Sequence, residues 1–315
     1  MGVIRIGTRG SALARWQSDH VASRLSALAP GAGFAIVEIS SAGDRITDVP
    51  LSHVEGTGFF TATIERALLE GEVDVAVHSY KDLPVSVTPG LVVAAVPPRG
   101  PVEDVLCARD GHTLQTLPLG SRVGTCSARR TAQVAAVRPD LDIRPLRGNV
   151  PTRVGRVAGG ELDAIVLARA GLLRLGLDAH ITQVFGLDEM LPAPAQGALA
   201  VQCRAGDAAI TALLARLDDE WTRSAVDAER TLLHALGGGC SVPVGAVARR
   251  DGDGLAIEAG VFSVQDESGA APLAIRARLA GTDAKALGRA AARQLLDGGA
   301  REILAAFDKA AAGEM

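Results

Sequence analysis

At 315 residues with a formal net charge of −4 and 48% hydrophobic residues, the chain is long enough for two or three buried cores and carries no charge excess suited to a general polyanion binder. Aromatic residues make up only 3%, which argues against stacking platforms for single-stranded nucleic acid. No apolar run approaches eighteen residues and no Gly precedes a Lys, so the sequence offers neither a membrane span nor a P-loop.

The chain opens on MGVIRIGTRG, which has no apolar segment of the secretory kind, so a cytoplasmic protein is expected. Ile4-Arg5-Ile6 predicts a short strand. Gly7-Thr8-Arg9-Gly10-Ser11 is a turn, and ALARWQSDHVASRLSAL is a helix with Ser11 at its start. EGEVDVAVHS (70–79) follows as a helix end, a glycine and a buried strand. His78-Ser79-Tyr80-Lys81-Asp82-Leu83-Pro84 stands at that strand's carboxyl end, where open α/β sheets bind ligands. Two readings of this stretch stay open. Asp82 is either turn chemistry, capping backbone amides, or a group that stabilises a cation and shuttles protons. Lys81 is one of only three lysines, with Lys285 and Lys309, and could instead form a Schiff base.

Pro97-Pro98-Arg99-Gly100-Pro101 predicts a linker. The next segment repeats the first: RVGTCSARR (122–130) is again a strand, a Gly-Thr turn and a Ser at a helix start, and GGELDAIVLA (159–168) parallels EGEVDVAVHS. Near-continuous apolar strands such as VDVAV and DAIVL predict parallel sheets covered on both faces. Between Arg122 and Arg156 stand eight arginines against two acids, Asp140 and Asp142. The reading of solvated helix faces competes with a site for several carboxylates or phosphates, which guanidinium forks bind bidentately. Arg9, Ser11, Ser127, Arg129 and Arg130 occupy strand-to-helix turns that favour anions. Arg147 follows the strand IRPL and Arg153 opens a helix; Arg138 and Arg156 are expected to be surface residues.

LPAPAQG (191–197) predicts a return crossing, followed by the strand ALAVQC. From about Asp218 come a helix (TRSAVDAERTLLHAL), a glycine loop, strands near 243–248, 255–262 and 272–280, and a closing helix over 283–307. Three domains are expected: 1–97 with 198–216, then 98–197, then 217–315. The loop ALGGGCSVPVG carries Cys240, which is open to three readings: a buried structural thiol, a nucleophile, or a covalent attachment point whose glycines clear a bulky group. Cys107, Cys126, Cys203 and Cys240 form no C-x-x-C pair, which disfavours zinc and disulfide frameworks.

Seven motifs in order (IGTRGSALA, AVHSYKDLP, VGTCSARR, LRGNVPTR, AGLLRLG, LPAPAQGALAVQCR and LGGGCSVPVG) resemble the porphobilinogen deaminase family. The resemblance implies an α/β protein of two doubly wound, periplasmic-binding-protein-like domains. A small C-terminal α+β domain would present a cofactor into the cleft between them. It implies a transferase of tetrapyrrole biosynthesis that joins four porphobilinogen units head to tail, releasing ammonia each time, into hydroxymethylbilane. The implied cofactor is dipyrromethane, held by a thioether to Cys240. Asp82 matches the catalytic aspartate, beside the cationic azafulvene left when ammonia departs. Arg9, Ser11, Lys81, Ser127, Arg129, Arg130, Arg147, Arg153, Arg174 and Gln196 match positions that bind cofactor and substrate carboxylates. No metal, nucleic acid or membrane partner is implied, and the family suggests a monomer. The segment His53-Val54-Glu55-Gly56-Thr57-Gly58-Phe59-Phe60 departs from the family, with His53 and Thr57 where many members have lysine. Cys126 stands where serine is usual and is expected to carry no cofactor.

Overall fold

The computed structural model describes residues 2–39, 59–239, 242–263 and 274–313. It contains two compact units, residues 1–100 with 197–223 and residues 101–196 with 224–315. The chain begins with β1 (Ile4–Thr8), α1 (Ala12–Leu28) and β2 (Phe34–Glu38), followed by α2 (Phe59–Leu69), β3 (Val75–Ser79) and β4 (Leu91–Ala95). The second unit adds β5 (Asp104–Ala108), β6 (Arg122–Gly124), α3 (Ala128–Val137), β7 (Asp142–Arg144), α4 (Val150–Ala158), β8 (Ala164–Ala168), α5 (Arg169–Arg174) and β9 (Gln183–Val184). The chain then returns to the first unit as β10 (Leu199–Arg204) and α6 (Ala208–Leu214).

The strand order is β2-β1-β3-β10-β4 in one sheet and β7-β6-β8-β5-β9 in the other, so the sheets correspond position by position. The repeat extends to side chains. Arg5 donates from its backbone N and from Nε to Asp74 Oδ2, each at 3.0 Å. Arg122 does the same to Asp163, at 2.9 and 3.0 Å. Each aspartate opens the strand that pairs in parallel with the arginine's own. Burial alone would raise the Asp74 carboxyl, but its arginine bonds outweigh that and hold it at about 2. The glycine two residues after each arginine is required by close packing. A Cβ on Gly7 would meet Val73 Cγ2 at 3.0 Å, and one on Gly124 would meet Leu162 Cδ1 at 2.6 Å.

The sheets are mixed rather than wholly parallel. β10 runs antiparallel to β3 and β4, and β5 antiparallel to β8 and β9. An apolar run reports burial on two faces but carries no information on strand direction. The antiparallel strands are those the chain forms as it enters each unit from the other.

Helix α7 (Glu220–Ala235) leads to the antiparallel meander β11 (Val244–Asp251), β12 (Gly254–Phe262) and β13 (Ala274–Gly281). Val247 and Phe262 pack with Ala132 and Leu191 in one buried cluster, which seats this sheet on α3 and the loop at Leu191 within one unit. The closing helix is interrupted. α8 (Ala284–Leu295) and α9 (Arg301–Gly313) are joined by a π-turn over Leu296–Ala300, where Gly299 adopts φ 102°.

Glu229 on α7 is wholly buried and accepts from the backbone N–H of Ala195 at 2.6 Å and of Ala248 at 2.7 Å. Ala195 has φ 62°, a left-handed conformation that costs a non-glycine residue about 1 kcal/mol or more. Glu229 thus anchors a strained residue to the third sheet. Glu229→Gln replaces one accepting oxygen with an N–H₂ that faces a donor. We expect a loss of about 3 kcal/mol, measured as a lower urea midpoint with an unchanged slope.

Candidate active site

In the first unit β1 and β3 are adjacent and parallel, so the turns that follow them emerge side by side. Ser11 caps α1, its Oγ accepting from Ala14 N at 3.3 Å. After β3 the backbone makes a single 3-10 turn, Tyr80–Asp82, closed by Leu83 N donating to Tyr80 O at 3.2 Å. Two further bonds fix it: Gln17 Nε2 donates to Ser79 Oγ at 2.8 Å, and Tyr80 N to Ala198 O at 3.0 Å. Arg9, Ser11 and Lys81 are half-buried, and Asp82 is exposed. The turn is built by the backbone and by Gln17, so no capping bond from the Asp82 side chain is needed.

Behind that turn lies a buried polar seam. Thr88 Oγ1 donates to Glu65 at 2.9 Å, and Gln202 Nε2 to Glu65 at 3.0 Å. Gln202 adjoins His78, whose Nε2 is buried without a partner. Burial pushes His78 down to about 4; the Gln202 contact opposes this and the Arg9 charge adds to it. The imidazole is therefore neutral in the folded chain at neutral pH. The unfolded chain takes up a proton near pH 6.5 that the folded chain refuses until about pH 4. We expect stability to fall across that window as pH is lowered, by about 3 kcal/mol in total, and then to level off. Denaturant titrations of wild type and His78→Gln check this: the variant should show a flatter slope between these values.

In the second unit the arginine cluster is largely internally paired. Arg122 pairs with Asp163, Arg138 with Asp140, Arg144 with Asp142 and Arg156 with Glu161; Arg129 and Arg130 both pair with Asp104. The apparent charge excess arose because three of these acids lie outside the arginine window. Arg138 is also not a surface residue: it clamps the carbonyls of Leu114 and Leu117 at 2.6 and 2.9 Å. Arg156 is partly exposed, as expected.

Four stretches carry the remaining candidates. Ser127 occupies the N-cap position of α3 with no side-chain capping bond. The Cys126 thiol donates to Leu146 O at 2.9 Å and accepts from Leu146 N at 3.0 Å, which ties this turn to the one after β7. Beyond Leu146, Arg147 keeps Nη2 buried with no partner. Arg153 Nε donates to Gly148 O at 2.7 Å, and Asn149 caps α4. Arg174 ends α5 and is pushed down to about 10 by burial. Gln196 is fully buried, and its Nε2 donates to Val102 O at 2.8 Å and Asp104 Oδ1 at 3.0 Å.

The structure therefore gathers Arg9, Ser11, Lys81 and Asp82 at strand ends of the first unit. In the second, Ser127, Arg129 and Arg130 follow β6, Arg147 and Arg153 follow β7, Arg174 follows β8, and Gln196 joins Asp104. Cys240, His53 and Thr57 lie outside the described residues. Asp104, Gln133, Glu229 and the seam around His78 were not assigned from sequence. Asp104 had a signal: like Asp74 and Asp163, it is an acid opening a short apolar strand.

These features define an α/β protein of two corresponding mixed sheets, with arginine, serine, lysine and aspartate side chains at strand ends. Residues 4–212 match the family model "Porphobilinogen deaminase, dipyromethane cofactor binding domain", and residues 224–297 match "Porphobilinogen deaminase, C-terminal domain". A porphobilinogen deaminase of Mycolicibacterium gilvum is 49% identical over 312 residues, covering 96% of this chain and 98% of its own. One of Xanthomonas oryzae is 47% identical over 309 residues, covering 98% and 100%. A lipoprotein from Bacillus subtilis overlays 70% of this chain and 92% of its own at 13% identity, with a TM-score of 0.43. The chain belongs to the porphobilinogen deaminase family.

Proposed function

We propose that this chain is a hydroxymethylbilane synthase, a transferase that condenses four porphobilinogen molecules head to tail. Each addition forms one carbon–carbon bond between pyrroles and releases one ammonia. Water then cleaves the finished linear tetrapyrrole from the enzyme. The observation that carries the reading is the backbone-built turn presenting an exposed Asp82 beside Lys81, next to the turn of Arg9 and Ser11, in a member of this family.

The residues present suit a multiply carboxylated dipyrromethane. Arg147 has a buried nitrogen with no partner, and Ser127 has a hydroxyl free of the usual capping bond. Both are donors that a carboxylate would satisfy. The carboxylates of the dipyrromethane and of the pyrrole units added to it would be bound by Ser127, Arg129, Arg130, Arg147, Arg153 and Arg174, with Gln196, Arg9, Ser11 and Lys81 as further binding residues and Cys240 as the point of attachment. When bound, the dipyrromethane supplies the nucleophilic pyrrole carbon. Asp82 acts on the incoming unit. Departure of ammonia leaves positive charge on that pyrrole, and a carboxylate fixed beside it stabilises the charge as it develops. The same carboxylate passes protons to the leaving amine and from the new bond.

No helix among the described residues is long and apolar enough to cross a membrane. We assign the enzyme to the cytoplasm as a monomer, with porphobilinogen as its partner and no nucleic acid. The test is to incubate the purified protein with porphobilinogen, follow ammonia release, and record intact mass. Stepwise gains of one pyrrole unit support the reading; no ammonia and no mass change would overturn it.

A further inference from the structure

Asp104 opens β5 fully buried, and donors from three residues converge on it. Oδ2 accepts from Arg129 Nη1 at 2.7 Å. Oδ1 accepts from Arg130 Nη2 at 2.6 Å, Arg130 Nε at 3.1 Å and Gln196 Nε2 at 3.0 Å. Burial alone would raise this carboxyl, but the two guanidinium charges outweigh it and hold it well below the usual range.

The two arginines are engaged differently. Arg130 commits its Nε/Nη2 edge to Asp104 and its Nη1 to Val166 O at 3.1 Å. Arg129 commits only Nη1, whose two hydrogens go to Asp104 and to Leu191 O at 2.6 Å. Leu191 is itself fixed at both backbone groups by the Gln133 amide. The Nε/Nη2 edge of Arg129, whose paired N–H groups match a carboxylate, has no partner among the described residues. Neither nitrogen of that edge is a sealed, orphaned donor.

We infer that Asp104 is a positioning residue: it pins Arg129 by one terminal nitrogen and so presents that residue's bidentate edge to a ligand carboxylate. Arg130, engaged at both ends, braces Asp104. The identity of the ligand, a carboxylate of the growing pyrrole chain, rests on the proposed function.

Arg129→Ala, Asp104→Asn and the double variant test this, each checked for fold by circular dichroism and for cofactor content by intact mass. Losing one bidentate carboxylate contact should raise KM about tenfold in either single variant, with kcat changed less. Because both act through one edge, the double variant should be no worse than Arg129→Ala. Losses that multiply would overturn the inference, as would a normal KM in Asp104→Asn. If Asp104→Asn does not fold, Asp104→Asn/Arg130→Gln removes one buried charge of each sign and serves as the parent. Nitrogen-15 NMR of the Arg129 guanidinium tests the pinning without turnover. Slow rotation in wild type and fast rotation in Asp104→Asn are expected, and equal rotation would overturn the inference. A wild type that is pinned but inactive would instead sink the proposed function.

Discussion

Asp82→Asn should leave the fold and the covalent cofactor intact and lower turnover by about 10²–10³, the usual cost of removing one preorganised electrostatic partner. The two readings of this residue separate cleanly. If Asp82 served the turn, the amide would unsettle it and stability would fall. The turn is closed by Leu83 N on Tyr80 O and anchored by Tyr80 N and Gln17, with Asp82 exposed at its end. The melting temperature should therefore stay within about 1–2 °C, because an exposed isosteric change away from a cap costs little. Ammonia release in the first turnover should slow as much as the steady state. Near-normal release would remove Asp82 from the chemistry, and a large drop in stability would return it to turn chemistry.

Cys240→Ala should have the larger effect: no added mass of two linked pyrrole units, and no tetrapyrrole product at any substrate concentration. Exposing the variant to porphobilinogen should not restore the adduct, because the thioether has no sulfur to form on. An adduct of that mass on Cys126 would overturn the assignment. In the structure the Cys126 thiol is exposed and bonds both backbone groups of Leu146, so the mass of a Cys126 peptide is the control that decides it. The glycines before Cys240 also have grounds of their own. Gly237 takes φ 71° to end α7, and a Cβ on Gly238 would meet Val242 Cγ2 at 2.8 Å. Their presence alone therefore says little about what the cysteine holds.

Much of the architecture was legible because it repeats. Gly-Thr turns after Ile6 and Val123, and acids before VAVHS and AIVLA, announced two equivalent halves, and both halves form. The partner of each acid was not legible. Arg5 and Asp74 are 69 positions apart, and nothing local in either stretch names the other. The same limit hid Asp104, whose donors come from 25, 26 and 92 positions away. Arginine clustering suggested open charge, whereas folding paired most of it. Strand direction was missed because hydrophobicity is blind to it. The candidate ligand residues were recovered because turn chemistry and family motifs mark them in sequence, while their supporting residues sit in strands and helices that look like ordinary core.

The return of β10 also sets an order of events on the ribosome. Among the described residues β4 has no hydrogen-bonded neighbour strand except β10, which is made about a hundred residues later. Until then the first sheet stops at β3, with an open edge and an unpaired apolar strand waiting beside it. Residues 101–196 contain every strand of the second sheet, which can close while the first is still incomplete. Of the two doubly wound sheets, the one synthesised first is completed second, and until then its nascent edge is open to pairing with another chain.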